Sequence, residues 1–195
     1  MTDRDASGIN GSDTFASLEA IGETYAKKSP QDRAIRALIV RTFAPYLTPA
    51  MRCLQLGYAE GVDTALLTPE VKTLDVVEGN QAFFEAGQAA APANVSFYHD
   101  LFESFLPQVT HPYDAVFAVY VLEHVQDPVL LLKGAKEALT PEGLLFVVVP
   151  NANALSRQLA LHMGLLPSLT SLTARDLEHG HRRVYDAQSL QQDIQ

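Results

Sequence analysis

The residues best suited to chemistry are a glycine-containing loop and an acidic residue, each directly after an apolar strand-like segment. Gly57 and Gly61 follow Leu54-Gln55-Leu56, and Glu78 closes the next apolar segment, 21 positions after Gly57. Glycine lets the backbone approach a nucleoside ligand, and an acid at the end of the next strand accepts hydrogen bonds from ribose hydroxyls. Taken alone, the pair leaves open a nicotinamide, a flavin or another adenosine cofactor, or merely a tight turn beside an exposed acid.

Alternating strands and helices must position these residues. The predicted strands are 51–56, 73–78, 95–98, 115–120 and 144–149, and the predicted helices lie near 63–67, 81–89 and 129–139. Such alternation predicts an α/β fold, with a doubly wound, Rossmann-like, mainly parallel sheet and helices on both of its faces. The almost continuous apolar character of the last two strands predicts that they lie in the middle of the sheet. The ligand crevice is then expected beyond the carboxyl ends of the strands.

The segments that flank the predicted sheet have different compositions. Residues 1–14 are rich in Asp, Ser and Gly and predict a disordered leader, whereas 15–46 predicts two helices. The apolar stripe predicted for the second helix comprises Ala34, Ile35, Leu38, Ile39 and Phe43. We therefore expect one domain over 15–195, with a cofactor-binding core at 51–150 and a lid and substrate segment at 151–195.

Composition favours a small-molecule partner. The formal net charge is -9, with only 14 Lys and Arg residues, which argues against nucleic acid as a partner. Cys53 is the single cysteine, so the sequence predicts no disulfide framework and no metal cluster of the usual Cys/His spacing. No apolar run approaches the ~20 residues of a membrane helix, and the N-terminus lacks signal-peptide character, so we expect a cytoplasmic protein with no membrane partner.

Two further segments narrow the choice of cofactor. The first runs Tyr-Asp-Ala-Val-Phe-Ala-Val-Tyr-Val-Leu-Glu-His-Val over 113–125, and the second runs Pro-Glu-Gly-Leu-Leu-Phe-Val-Val-Val-Pro-Asn-Ala-Asn over 141–153. With the glycine loop, they resemble the class I S-adenosylmethionine-dependent methyltransferases, in the subset that acts on small molecules and sugars. The resemblance runs from about Tyr25 to the last residue. It implies S-adenosylmethionine as cofactor and a small-molecule substrate.

The resemblance also implies roles for individual residues. Glu78 binds the ribose hydroxyls, Asp100 reads the adenine amino group, and Leu101 contacts the adenine ring. Val119 and Tyr120 line the methionine moiety and the mouth of the substrate pocket. The cofactor-binding set is completed by the loop around the glycines and the residue after the acid, namely Gly57, Tyr58, Ala59, Gly61 and Gly79.

The chain departs from the family pattern in its first loop and in its length. Gln55 replaces an acid of the first strand, and Ala59 replaces the middle glycine of the loop. Ala59 is a mild change if its φ is negative and costs ~1 kcal/mol or more if its φ is positive. The family's last two strands have no counterpart here, so 144–149 is expected to form an exposed apolar edge. Either the sequence is a fragment, or a partner in a homo- or hetero-oligomer covers this edge.

Candidate catalytic residues lie in a segment that resembles a Gly-His-x-Arg-x-Tyr element of the family. His181 is the first choice for a general base with Tyr185 orienting it, and His124 is the second choice. The alternative is that His181 and Tyr185 only bridge a loop to the sheet. Arg157, Arg182 and Arg183 either hold an anionic substrate group or are solvated charges.

The sequence thus supports a methyltransferase that modifies an oxygen or nitrogen atom of a small metabolite or sugar. Its departures from the family pattern favour an alternative, a catalytically silent methyltransferase-like subunit that acts as a binding or scaffolding partner. A nicotinamide oxidoreductase is the weakest interpretation, because the loop lacks Gly-x-Gly-x-x-Gly. The apolar 155–172 segment, expected to form the lid, suggests a partly hydrophobic acceptor or a second subunit.

Overall fold

Five parallel strands form one sheet in a computed structural model, which describes residues 18, 19, 22 and 30–195. The strands are β1 (Arg52–Leu56), β2 (Thr73–Glu78), β3 (Val95–His99), β4 (Tyr113–Val119) and β5 (Leu139–Val148). Their order across the sheet is β3-β2-β1-β4-β5, and each neighbouring pair is parallel. The order reverses between β1 and β4, and in doubly wound sheets ligands bind at this switch point, beyond the carboxyl ends of the strands. The predicted leader at 1–14 lies outside the described residues.

Helices connect and follow the strands of this sheet. They are α1 (Pro30–Phe43), α2 (Val62–Leu67), α3 (Gln81–Ala90), α4 (Phe102–Phe105), α5 (Pro128–Glu137), α6 (Leu155–His162), α7 (Ala174–Glu178) and α8 (Ala187–Ile194). Side-chain caps fix several N-termini: Asn80 accepts a hydrogen bond from the Phe83 amide, and Asp127 accepts one from the Leu130 amide. Such caps satisfy amides that have no partner within the helix, so the sequence fixes where these helices begin.

The core has two layers, one on each face of the sheet. Along β4, Val116 and Ala118 pack into one buried cluster, while Ala115 and Phe117 pack into the other. This is the two-residue alternation of a strand whose two faces are both covered. The nearly continuous apolar sequence of β4 follows from burial on both sides.

The face of α1 that meets the sheet differs from the predicted stripe. Arg36, Val40 and Phe43 are buried, whereas Ile35 and Leu38 are exposed. The predicted stripe was based on the spacing of apolar residues alone. It therefore did not include a helix face whose centre is a buried arginine. Of the two helices predicted over 15–46, α1 is described, and most of the preceding segment lies outside the described residues.

β5 lies at the edge of the described sheet, so the middle position predicted from its apolar run is wrong, whereas the edge position expected from the absent last two strands agrees with the structure. It pairs with β4 alone among the described strands, and residues 144–148 are half-buried. It also begins earlier than predicted, because Leu139 pairs with Tyr113 before the register shifts at 140–143 and resumes with Leu144 opposite Ala115. Both faces of β5 are packed against helices, which gives it an apolar sequence without a central position.

Candidate functional site

The loop after β1 adopts the backbone conformation that glycine favours. The φ angles are +79° at Gly57, +50° at Ala59 and +71° at Gly61. Glycine meets this requirement without strain, but a residue with a Cβ atom does not. Of the two alternatives considered for Ala59, the structure has the positive φ, which is the strained one.

The Glu78 carboxylate ties this loop to the end of β2. One oxygen accepts hydrogen bonds from the Tyr58 and Ala59 amides at 2.8 and 3.2 Å, and the other accepts one from the Asn80 amide at 2.8 Å. Charge-assisted hydrogen bonds of this kind are stronger than neutral ones, and Glu78 is buried. A ribose placed on Glu78 would therefore compete with the loop amides for the same oxygen.

Gln55 serves the structure beneath the loop. Its Oε1 accepts a hydrogen bond from the Thr64 hydroxyl at 2.9 Å, and its Nε2 donates one to the Gly57 carbonyl at 2.7 Å. These contacts link β1 to both ends of the loop. The Gln55 side-chain oxygen thus already accepts one hydrogen bond from within the fold.

Arg36, Asp63 and Tyr120 form a charged cluster beside the loop. The Arg36 guanidinium pairs with the Asp63 carboxylate, and Arg36 Cζ lies 5.2 Å from the Tyr120 ring centroid. Tyr120 adopts a φ of +56°, an uncommon value for an aromatic residue, at the carboxyl end of β4. Sequence reasoning missed Arg36; its only signal was an arginine on the helix face that also carries Val40 and Phe43.

Two adjoining cavities lie at the carboxyl ends of the strands. The smaller, of about 130 Å³, is bounded by the loop, the charged cluster and Val119; the larger, of about 310 Å³, extends to residues 180–182. Glu78, Phe102 and His124 border both of them. The larger cavity also contacts Gly79, Asp100 and Leu101. Most residues predicted to bind the cofactor therefore line this pair of cavities.

Asp100 and Leu101 lie at one end of the larger cavity. The Asp100 carboxylate accepts a hydrogen bond from the Leu101 amide at 2.8 Å, and Leu101 is buried. An acid beside an apolar side chain matches the predicted pairing of an amino-group acceptor with a ring contact.

His124 and His181 face each other at the other end of the larger cavity. Their ring centroids are 4.8 Å apart and the rings are nearly perpendicular. The Nδ1 atom of His181 lies 3.5 Å from an Asp176 oxygen. Burial lowers the pKa of His181 below its ordinary value, although the Asp176 charge opposes this shift. The structure thus brings the two candidate bases together.

Glu123 lies beside these histidines and was not identified as a site residue from the sequence. Its side chain is 1% exposed, and neither carboxyl oxygen has a hydrogen-bond partner among the described residues. Burial raises the pKa of Glu123 to about 8, with its own backbone amide, Arg36 and Arg183 acting in the opposite direction. The signal in the sequence was the Leu-Glu-His tripeptide, of which only the histidine was named as a candidate site residue.

Tyr185 does not orient His181. Its hydroxyl donates a hydrogen bond to Asp193 at 2.8 Å, and its side chain is buried in a hydrophobic cluster of the core. Its backbone pairs with Asn151, so the tyrosine joins its loop to the end of β5. The carboxylate that faces His181 is instead that of Asp176. Asp176 belongs to no motif that would have identified it from the sequence.

The predicted lid and two of the three candidate arginines lie away from the two cavities. No residue of 155–172 borders either cavity, and Leu155, Leu159 and Met163 are exposed. The Arg157 guanidinium donates to backbone carbonyls and pairs with Asp176, while that of Arg183 donates to three backbone carbonyls. Of the three arginines, Arg182 is the one that borders the larger cavity.

The sheet order, the acid that closes β2 and the cavities at the switch point are those of a Rossmann-like nucleotide-binding fold. A family model described as a methyltransferase domain matches residues 25–195, so the chain belongs to the S-adenosylmethionine-dependent methyltransferases. The sequence has no significant match among curated proteins.

Several solved structures share the fold. NodS, an N-methyltransferase from Bradyrhizobium japonicum solved with S-adenosylhomocysteine, is 18% identical, with a TM-score of 0.65 and coverage of 93% of this chain and 84% of that one. DhpI, solved as a complex with SAM and HEP, is 20% identical, with a TM-score of 0.65 and coverage of 95% and 88%. YcgJ from Bacillus subtilis is 18% identical, with a TM-score of 0.59, and this chain spans 66% of its length. These likenesses establish the fold.

None of the helices in the described part of the chain has the length and hydropathy needed to cross a bilayer.

Proposed function

We propose that this protein transfers a methyl group from S-adenosylmethionine to an oxygen or nitrogen atom of a small metabolite or sugar. The observation that carries the proposal is the convergence of Glu78, Asp100 and the glycine loop on two adjoining cavities, both of which are lined by Glu78 and His124. The complexes of NodS and DhpI with S-adenosylhomocysteine or SAM support the same cofactor.

The chain's side chains suit a bound cofactor at both of its ends. Glu78 would bind the ribose, and Asp100 with Leu101 would hold the adenine. Arg36 would hold the amino-acid end, since a guanidinium retains donors for a carboxylate beyond those that pair with Asp63. When bound, S-adenosylmethionine supplies a methyl group already activated by its sulfonium centre, so placement of the acceptor is the main task of the protein.

The acceptor would occupy the part of the larger cavity near His124, His181 and Arg182. An imidazole whose pKa lies below its ordinary value is neutral at pH 7 and able to take a proton from a hydroxyl. We propose His181 as this base, held by Asp176, with His124 as the alternative. Arg182 is suited to an anionic group of the acceptor.

Calorimetric titration with S-adenosylhomocysteine tests the cofactor site directly. We expect micromolar binding by the wild-type chain and a loss of at least about 100-fold in affinity for Glu78→Ala, because a charged acceptor for two hydroxyls is removed. Glu142→Ala is the matched control, since Glu142 is exposed on β5. Equal affinity in wild type and Glu78→Ala would refute the assignment of Glu78.

The alternative function is that of a catalytically silent methyltransferase-like subunit, and the strained loop is the observation that supports it. Ala59 has a positive φ, and the Glu78 oxygens already accept hydrogen bonds from backbone amides. A chain that is folded by circular dichroism yet binds no S-adenosylhomocysteine at millimolar concentration would favour this alternative.

A further inference from the structure

The histidine pair at the acceptor end is joined by a carboxylate that the proposed reaction leaves unused. Potential ligand atoms of Glu123, His124 and His181 all lie within 4.8 Å of one another. Glu123 is 1% exposed, and among the described residues neither of its oxygens has a hydrogen-bond partner. Burying a carboxylate without a partner is costly, so an unpaired carboxyl in this position calls for a proton or a cation.

Nearby arginines do not supply that cation. The Arg36 guanidinium pairs with Asp63, and the Arg183 guanidinium donates hydrogen bonds to the carbonyls of Leu122, Val125 and Gln126. No ion pair involving Glu123 occurs in the part of the chain that the structure describes.

We propose that Glu123, His124 and His181 bind one divalent transition-metal cation of the zinc type. Two imidazoles and one carboxylate form a ligand set that suits such cations and is poorly suited to Mg²⁺, which prefers oxygen ligands. Ligand atoms around a tetrahedral Zn²⁺ are roughly 3.3 Å apart, so closing the site from its present spacing takes only small side-chain rotations.

The surroundings of the histidines match those of metal ligands. The Asp176 carboxylate faces Nδ1 of His181 at 3.5 Å, which leaves the other ring nitrogen for a cation. A carboxylate behind a ligating imidazole fixes its tautomer and orientation. The Arg182 side chain donates to the His124 carbonyl at 2.9 Å, and its backbone amide donates to the Glu123 carbonyl at 2.7 Å. The segments that carry all three ligands are thereby held together.

The site has an open side toward the larger cavity. His124 and His181 border that cavity, whereas Glu123 lies behind them. Three protein ligands with one open position are the arrangement of catalytic zinc sites. With a cation bound, His181 is a ligand and no longer the base proposed for the metal-free site, so the two roles are alternatives. A hydroxyl oxygen bound at the open position then loses its proton to solvent water while the bonding electron pair stays on oxygen, because the cation lowers the hydroxyl pKa. The assignment of that hydroxyl to the methyl acceptor rests on the proposed function and selects oxygen over nitrogen as the methylated atom.

Metal titration of the chelator-treated full chain tests the proposal. We expect one Co²⁺ per chain with visible d–d absorption bands, and displacement of Co²⁺ by one equivalent of Zn²⁺ but not by Mg²⁺. Glu123→Gln, which keeps the side-chain shape, and His181→Gln, at the cavity wall, should each weaken Zn²⁺ binding by at least about 100-fold. His162→Ala is the control, because His162 is an exposed histidine at the end of α6.

The outcomes separate this site from the proposed function. Absence of stoichiometric binding by the wild-type chain, or equal affinity in wild type and both ligand variants, would overturn the metal site and leave Glu123 holding a proton. Circular dichroism of each variant establishes that it is folded. Binding of Zn²⁺ without any binding of S-adenosylhomocysteine would uphold the metal site and refute the proposed function, whereas the reverse result would refute the metal site alone.

Discussion

At Ala59, a single methyl group sets the conformational cost of the cofactor loop. The loop needs a positive φ at this position, at Gly57 and at Gly61, but only the two glycines adopt it without strain. The Ala59 amide nevertheless donates to Glu78, so the strained residue contributes to holding the loop closed. Residue identity thus tunes the stability of the loop, while its conformation is set by the neighbouring contacts.

We predict that Ala59→Gly stabilises the protein. Removing the Cβ from a left-handed residue relieves strain that exceeds the added entropy of glycine in the unfolded chain, for a net gain of about 0.5–1 kcal/mol in the free energy of unfolding. The matched control is Ala65→Gly in the helical, exposed part of α2, which should lose about 1 kcal/mol. Urea denaturation measures both, and a loss of stability in Ala59→Gly would contradict the strain argument.

At the scale of elements, a hydrogen-bonded network centred on Arg157 crosses the segment between β5 and α8. The Arg157 guanidinium on α6 donates to the Leu169 and Ser171 carbonyls and pairs with Asp176 on α7, whose carboxylate also caps the helix through Thr173. Because Asp176 faces His181, this network connects α6 to the part of the larger cavity that His124 and His181 line.

We predict that Arg157→Lys loosens this segment without affecting the cofactor site. A lysine ammonium lacks the planar fork, so at least one carbonyl loses its charged donor, at a cost of about 1–3 kcal/mol. Hydrogen exchange should rise across 165–180, and the affinity for S-adenosylhomocysteine should stay within twofold of wild type. Arg175→Lys, an exposed change on the same helix as Asp176, should leave exchange unaltered. Unchanged exchange in Arg157→Lys would show that apolar contacts hold the segment.

β5 is packed on both of its faces but has one hydrogen-bonding edge without a described neighbour. Its side chains pack on both faces of the sheet, yet one of its hydrogen-bonding edges faces no described strand. Unpaired apolar edges favour association with another strand. Covering of 144–149 by an oligomeric partner therefore stays a prediction, which sedimentation of the purified chain over a range of concentrations will test.

At the scale of the whole molecule, the centre of the sheet contains the single thiol. Cys53 on β1 has no exposed surface, and burial raises its pKa to about 12, with the Asp114 charge adding to the shift. The thiolate is the reactive form, so both burial and protonation protect Cys53 in the folded chain.

We predict that Cys53 reacts with a disulfide reagent at pH 8 only as fast as the whole chain unfolds. The folded thiol keeps its proton up to a pKa of about 12, whereas the unfolded thiol has an ordinary pKa of 9.0. Between these values the unfolded chain binds fewer protons, so the free energy of unfolding falls as pH rises through that window. Cys53→Ala should make this decline shallower, and labelling faster than unfolding would show local opening of β1.

The sequence by itself determined the alternating elements, the parallel sheet, the family and most of the predicted site residues that line the two cavities. It did so because strand and helix periodicities, glycine loops and strand-end acids are local signals. Tertiary structure alone decided the burial of Arg36, the separation of Tyr185 from His181 and the approach of Glu123 to within 4.8 Å of two histidines. Each of these depends on which distant segments fill the space around a side chain, and that space exists only once the sheet has been ordered and packed.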